Sequence, residues 1–159
     1  MEVKIKKLTE TAREPTYATP GSAAFDLYAD KVTELPAGSE EELARLMGDE
    51  SYVFHTGLAV EIPEGHALLI FSRSGDGFKR DLRLANCVGL IDSDYRGEVL
   101  VKLRRDGDRK PHGPWEVCIS SGDRIAQGLI VEVERATFSV VDELSSTERG
   151  AGGFGSTGA

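Results

Sequence analysis

Cysteine and histidine are scarce in this chain of 159 residues, which carries two of the first and three of the second. Cys87 and Cys118 stand in unrelated contexts, with no CxxC and no Cys/His spacing, which argues against a disulfide framework, a redox pair or a zinc module. Both are expected to be reduced, buried, small apolar residues. His55, His66 and His112 likewise lack ligand spacing and are expected to be structural or surface residues. Basic residues are also in deficit: 19 Lys and Arg against 27 Asp and Glu give a formal net charge of -8. Broad, salt-dependent binding to a nucleic-acid backbone needs clustered cations and is therefore not expected, so any phosphate must be held locally. Long apolar runs are missing, which argues against a membrane-spanning helix. The opening "MEVKIKKLTE" lacks the apolar core and small-residue cleavage site of a signal peptide. The expected location is the cytoplasm, with neither membrane nor nucleic acid as partner.

What the chain does have is β-strand patterning. A chain of this length can bury most of the apolar surface it exposes unfolded, and one domain is expected. Candidate strands are Val3 to Leu8, Tyr52 to Phe54, Gly57 to Ile62, Ala67 to Phe71, Glu98 to Leu103, Trp115 to Ile119, Leu129 to Glu134 and Thr137 to Val141. Val99, Val101 and Leu103 alternate with exposed-type positions, as a half-buried strand requires. Turn residues punctuate the series at Pro36-Ala37-Gly38, Pro63-Glu64-Gly65, Asp106-Gly107-Asp108, His112-Gly113-Pro114 and Ser121-Gly122-Asp123. Many short strands at such spacing predict an all-β sandwich, jelly roll or barrel. One segment breaks the pattern. Ser39 followed by Glu42, the Leu43/Leu46/Met47 stripe and Gly48 predict a short helix over 39–48. Its apolar stripe must pack on its own sheet or on a partner protein.

Several turns carry groups suited to chemistry. "SRSGDG", Ser72 to Gly77, follows the apolar "ALLIF" and offers a guanidinium fork, a hydroxyl and a glycine-opened backbone, the groups that bind phosphate oxygens. "GLIDSDYRGE", Gly89 to Glu98, sets two carboxylates, an aromatic and an arginine in a turn; alone, it reads equally as a polar hairpin capped by Asp92 and Asp94. "GDRIAQ", Gly122 to Gln127, adds an arginine and an amide, although Arg124 could simply pair with Asp123. The terminal "RGAGGFGSTGA" has five glycines in eleven residues. It satisfies the string GxGxxG without the strand, helix and distal acid that a dinucleotide site needs. Composition alone favours a mobile terminus.

In chain order, "PGSAAFDLYA" (Pro20 to Ala29), "SRSG", "GLIDSDYRGE", "GDRIAQ" and "RGAGGFGSTG" resemble the five motifs of the trimeric dUTPases, over essentially the whole chain. The resemblance implies a jelly-roll-like (β-clip) subunit in a homotrimer, with active sites built from more than one chain. It implies a catalytic domain over 1–145 and a flexible arm over 146–159. The implied reaction takes dUTP and water to dUMP and diphosphate with Mg2+, keeping uracil out of DNA and supplying dUMP for dTMP synthesis. By position, Asp92 corresponds to the aspartate that orients the attacking water and contacts the sugar 3′-hydroxyl. Tyr95 corresponds to the aromatic that packs under the deoxyribose and leaves no room for a 2′-hydroxyl. Asn86 falls where the family reads uracil, with backbone groups from Gly89, Leu90 and Ile91 and around Leu100. Arg73, Ser74, Gly75 and Gln127 match phosphate-binding positions, and Asp26 the aspartate near the metal and its waters. In the arm, Arg149 reaches the terminal phosphates, Phe154 stacks on uracil, and Gly155, Ser156 and Thr157 wrap the γ-phosphate.

Two features depart from the family pattern. Ser72 replaces a common proline before Arg73-Ser74, which puts the local loop shape in doubt, and the predicted 39–48 helix looks like an insertion. The nearest alternative enzyme is a dCTP deaminase of the same fold; Tyr95 and the complete fifth motif favour the pyrophosphatase. A non-catalytic regulatory homologue using the helix for a partner is the other alternative.

Overall fold

The computed structural model describes residues 1–33, 43–46, 51–106 and 117–153. The elements run β1 (Lys4–Lys7), β2 (Phe25–Tyr28), β3 (Lys31–Thr33), β4 (Leu43–Leu46), β5 (Ser51–Glu61), β6 (His66–Phe71), α1 (Ser74–Arg80), β7 (Leu82–Leu84), β8 (Val88–Ile91), β9 (Glu98–Arg105), β10 (Val117–Ser120) and β11 (Arg124–Glu132). The fold is all-β, with one short helix among the described residues. Strands β1-β5-β9-β7 form one sheet, with β3 also on β5; β2-β11-β6-β8 form a second, and β10-β4 a two-stranded ribbon. Among the described residues no helix is long and apolar enough to cross a membrane.

The β9 alternation holds: Val99, Val101 and Leu103 are buried, while Leu100 and Lys102 face outward. They meet Phe54, Leu27, Leu68, Leu82, Leu84 and Ile125 in a continuous core. Each such side chain contributes about 1.5–3 kcal/mol on burial. The expected strands at 52–54 and 57–62 are one strand, β5, whose ladder with β9 shifts between His55 and Ala59. Gly57 sits in that irregularity at φ +66, and a Cβ there would lie 2.7 Å from the Ala12 methyl. One edge of β5 takes β3 before this point and β1 after it.

Three expectations are overturned. Residues 43–46 of the expected 39–48 helix are strand β4, paired with β10 from Val117↔Leu46 to Ser120↔Leu43, and Leu46 is fully buried. A helix this short is marginal, and a ladder partner satisfies the same backbone groups while burying Leu46. Ser39, Glu42, Met47 and Gly48 lie outside the described residues, as do Trp115 and His112. Thr137 to Val141 forms no strand; Phe138 is 95% and Val140 104% exposed. A strand needs an edge to pair with, and among the described residues none pairs with this one. Cys87 and Cys118 are exposed rather than buried. Cys87 occupies a left-handed turn position at φ 64 between β7 and β8, and Cys118 lies on the outward side of β10, opposite buried Val117 and Ile119.

Candidate active site

Two groups of expected site residues come together in different places. The first surrounds a cavity of about 530 Å³. Asn86, Gly89, Leu90, Ile91 and Leu100 all line it, backed by Ile70, Leu84 and Val53, with Lys102 beside them. Among the described residues strand β8 stands at the edge of its sheet, hydrogen-bonded to β6 alone, so its other edge presents backbone N–H and C=O groups without a ladder partner there. Strand β7 is likewise an edge strand of the other sheet. The two edges are joined by the Ala85–Cys87 turn, in which the Cys87 amide donates to the Leu84 carbonyl at 3.2 Å and the Val88 amide to that of Asn86 at 2.7 Å. Gly89 is small for a reason of packing, because a Cβ there would stand 3.1 Å from Cβ of Ile70.

Asp92 and Tyr95 occupy the turn directly after β8, closed by the Tyr95 amide donating to the Asp92 carbonyl at 3.2 Å. The Arg96 guanidinium donates to the Ser93 and Tyr95 carbonyls at 2.6 and 2.9 Å, stiffening the turn from outside. Asp92 is exposed and Tyr95 partly so. The phenol lies over Gly97, where a Cβ would be 2.6 Å from the ring Cζ.

The second group is a charged cradle around Asp26. This residue is only 3% exposed, on β2, with Leu27 turned into the core beside it. Arg124 Nη1 donates to Asp26 Oδ2 at 3.2 Å and Gln127 Nε2 to Oδ1 at 3.5 Å, while Arg73 Nε stands 3.6 Å from Oδ1. Arg73 also donates through Nη1 to Asp76 Oδ2 at 2.9 Å and to the Arg124 carbonyl at 3.2 Å. Arg80 approaches Asp76 Oδ1 at 3.5 Å. Arg73, Asp76, Arg80, Asp123 and Arg124 line a cavity of about 160 Å³. Arg73 is the N-cap of α1, so Ser74 and Gly75 form its first turn, where amides lack helical partners; a Cβ on Gly75 would meet nothing within 4 Å.

Asp76 and Arg80 were not foreseen as members of this group, whereas Arg124 is the arginine that "GDRIAQ" offered. The i,i+3 and i,i+4 spacing within "RSGDGFKR" carried the signal for Asp76 and Arg80. Arg124 pairs with Asp26 rather than with its neighbour Asp123, whose carboxylate instead accepts from the Ser120 amide at 2.8 Å. Ser72, where a proline is common, accepts a hydrogen bond from the Leu84 amide at 2.9 Å and so ties the Arg73 loop to the wall of the larger cavity. Beside Leu84 on β7, Arg83 donates to the Leu84 carbonyl, and its hydrogen bond with Asp106 raises the guanidinium pKa above its ordinary value. Arg149 is exposed and lines neither cavity, its Nε donating to the Gly152 carbonyl at 2.8 Å. Phe154, Gly155, Ser156 and Thr157 lie outside the described residues. Among the described residues no group of three or more His, Cys, Asp or Glu is placed to hold a metal.

The dUTPase family model matches residues 10–158. The deoxyuridine 5′-triphosphate nucleotidohydrolase of Bordetella avium is 42% identical, with 98% of this chain and 97% of that protein covered. That of Nautilia profundicola is 42% identical over 99% of each. Among solved structures, a Staphylococcus bacteriophage 80alpha dUTPase mutant with dUpNHpp superposes with a TM-score of 0.82 at 27% identity, covering 99% of both chains. A mutant dUTPase from phage phi11 of S. aureus, described as coordinating a structural Mg(II) ion, shares the fold at a TM-score of 0.73 and 24% identity, over 92% of this chain and 100% of that one. The chain belongs to the dUTPase family.

Proposed function

We propose that this chain hydrolyses dUTP to dUMP and diphosphate in the cytoplasm, holding uracil in the larger cavity and the triphosphate on the charged cradle. The observation that carries the reading is the edge of β8 that no strand among the described residues pairs. Uracil presents an acceptor, a donor and an acceptor along one side, and an unpaired strand edge at Gly89 to Ile91 offers matching backbone groups. Asn86 supplies a side-chain amide to the same cavity, and Leu90 and Leu100 supply apolar faces for the ring.

The chemistry follows from position and charge. Attack at the α-phosphorus needs an in-line water, neutralised equatorial oxygens and a stabilised leaving group, so no covalent nucleophile is required. Asp92, immediately after the uracil-binding strand, orients and polarises that water. A carboxylate is a weak base at neutral pH, so its proton transfer comes late. Tyr95 packs under the deoxyribose and excludes a 2′-hydroxyl. Arg73, Gln127 and the first-turn amides of Ser74 and Gly75 take the phosphate oxygens.

Asp26 fits a magnesium complex held mainly by phosphates. Its buried carboxylate is already engaged by Arg124 and Gln127, which suits contact with the ion through water rather than direct ligation. Bound magnesium would supply charge neutralisation at the phosphate oxygens.

A homotrimer brings the two groups to one substrate. They line separate cavities of the single chain, and exposed Phe138, Val140 and Leu144 mark the C-terminal segment as a surface for another subunit. The arm over 146–159 then closes on a neighbouring site, with Arg149 on the terminal phosphates, Phe154 on uracil and Gly155 to Thr157 around the γ-phosphate.

Diphosphate release measured across dUTP, UTP, dTTP and dCTP tests the reaction; ammonia from dCTP without diphosphate from dUTP would replace it with the deaminase. Asp92→Asn is expected to lower turnover by about 10²–10⁴-fold while nucleotide affinity stays nearly intact. Turnover within about tenfold of the parent removes Asp92 from the role.

A further inference from the structure

We propose that Glu98 and His55 form a positioning brace behind Tyr95, a carboxylate and imidazole pair that sets how closely the phenol ring approaches the sugar and so how strictly UTP is refused. The proposal rests on the reading of Tyr95 as the sugar-packing residue.

The ring is located by main chain. Its hydroxyl donates to the Glu98 carbonyl at 3.0 Å, and its hydroxyl end lies close against Gly97, with no side chain between ring and backbone. Any displacement of the Gly97–Glu98 backbone therefore moves the ring. Just here the β5–β9 ladder is irregular, Leu100 pairing with His55 and Glu98 with Ala59, so residues 56–58 of β5 bulge out of regular pairing. The Glu98 side chain spans that bulge. Its Oε1 accepts from the Gly57 amide at 2.8 Å, at the left-handed position of β5, and its Oε2 stands 2.7 Å from His55 Nδ1. A carboxylate only accepts, so this Nδ1 carries the proton. One residue on, the Thr56 hydroxyl donates to the Val99 carbonyl at 2.7 Å, a second side-chain link across the same gap.

The pair is sheltered enough to hold a geometry. The His55 and Glu98 side chains are 28% and 22% exposed, and a charge-assisted hydrogen bond in such a site is stronger than one at an open surface. His55 is also the cross-strand partner of Leu100, which lines the larger cavity, and of Lys31 on its other side. The brace thus links the base cavity to the sugar-selecting ring.

The test compares kcat/KM for dUTP and UTP in the full-length enzyme for Glu98→Ala, Glu98→Gln, His55→Ala and Tyr95→Ala, with thermal midpoints recorded beside them. Glu98→Ala is expected to relax dUTP-over-UTP discrimination about tenfold, mostly through faster UTP turnover, and His55→Ala about threefold. Glu98→Gln keeps an acceptor for the Gly57 amide and should restore discrimination to within about twofold of the parent. A purely structural role would lower the midpoint and leave the ratio unmoved, which overturns the proposal. If Tyr95→Ala relaxes discrimination while folded Glu98→Ala does not, the brace fails and the Tyr95 reading stands. An unchanged ratio in Tyr95→Ala removes both. Should Glu98→Ala not fold, His55→Ala decides: a parental ratio there also ends the proposal.

Discussion

Between β7, β8 and β9 the chain builds its larger cavity from strand edges, small residues and outward-facing leucines, whereas around Asp26 it builds from two aspartates paired with three arginines, which leaves a surplus of positive charge. The contrast matches the two halves of a nucleotide. A flat, neutral base is read by groups whose spacing is set by the backbone, and these cost little to expose when the ligand leaves. A triphosphate needs concentrated positive charge, and concentrated charge must be balanced while the site is open. Asp26 and Asp76 do that balancing by holding Arg73, Arg80 and Arg124 in place. Preorganised charge of this kind stabilises developing negative charge without reorganising during reaction.

The largest test of this division is removal of the segment proposed to cover both regions at once. Deleting 151–159 is expected to abolish diphosphate release while leaving the proposed trimer intact by size-exclusion chromatography; an active truncation would show that base pocket and cradle suffice. Asp26→Ala comes next. It removes the buried carboxylate that accepts from Arg124 and Gln127, while Arg73 keeps Asp76 and Arg124 keeps access to solvent, so the loss of stability is expected at about 1–3 kcal/mol by urea titration. Parental stability in Asp26→Ala would mean that the cradle is held by its helix rather than by charge. Asn86→Ala should spare the fold and the phosphate contacts, raising KM for dUTP about tenfold with kcat little changed. A fall confined to kcat would assign Asn86 to the chemistry instead.

The smallest effect lies outside both regions, at the Lys4–Glu61 pair on the exposed edge between β1 and β5. The hydrogen bond and charge of Lys4 lower the Glu61 carboxyl below its ordinary 4.5. Its contribution to stability is therefore fully present above that value and is lost as pH falls through the lower folded value. Lys4→Ala should flatten the stability-against-pH curve in acid and leave neutral activity unchanged; an unaltered acid slope would show that the pair contributes nothing.

Much of this was legible in the residues. The turn "GLIDSDYRGE" read alone was equally a polar hairpin, and only its order with "SRSG" and the other motifs pointed to the family, whereas the alternation in β9 announced its buried face. Short strands escaped notice for a physical reason. Phe25–Tyr28 has both Asp26 and Leu27 buried, one in the cradle and one in the core, so no alternation of polarity marks it. Leu43–Leu46 carries helix-forming side chains, and only the ladder with β10 makes it a strand. The two exposed cysteines follow the same rule, because the left-handed turn that carries Cys87 and the outward register of Cys118 are set by neighbours distant in sequence.

Sequence by itself determined the all-β class, the family and the residue types available for the reaction, since these depend on local chemistry and on motifs whose order survives in the linear chain. Tertiary structure alone decided that Arg124 answers Asp26 across 98 residues, that Ser72 accepts from the Leu84 amide, and that Glu98 reaches the Gly57 amide across 41. Ion pairs and edge pairings are made where strands meet, and strand order in space is set by burying one shared core rather than by neighbours along the chain.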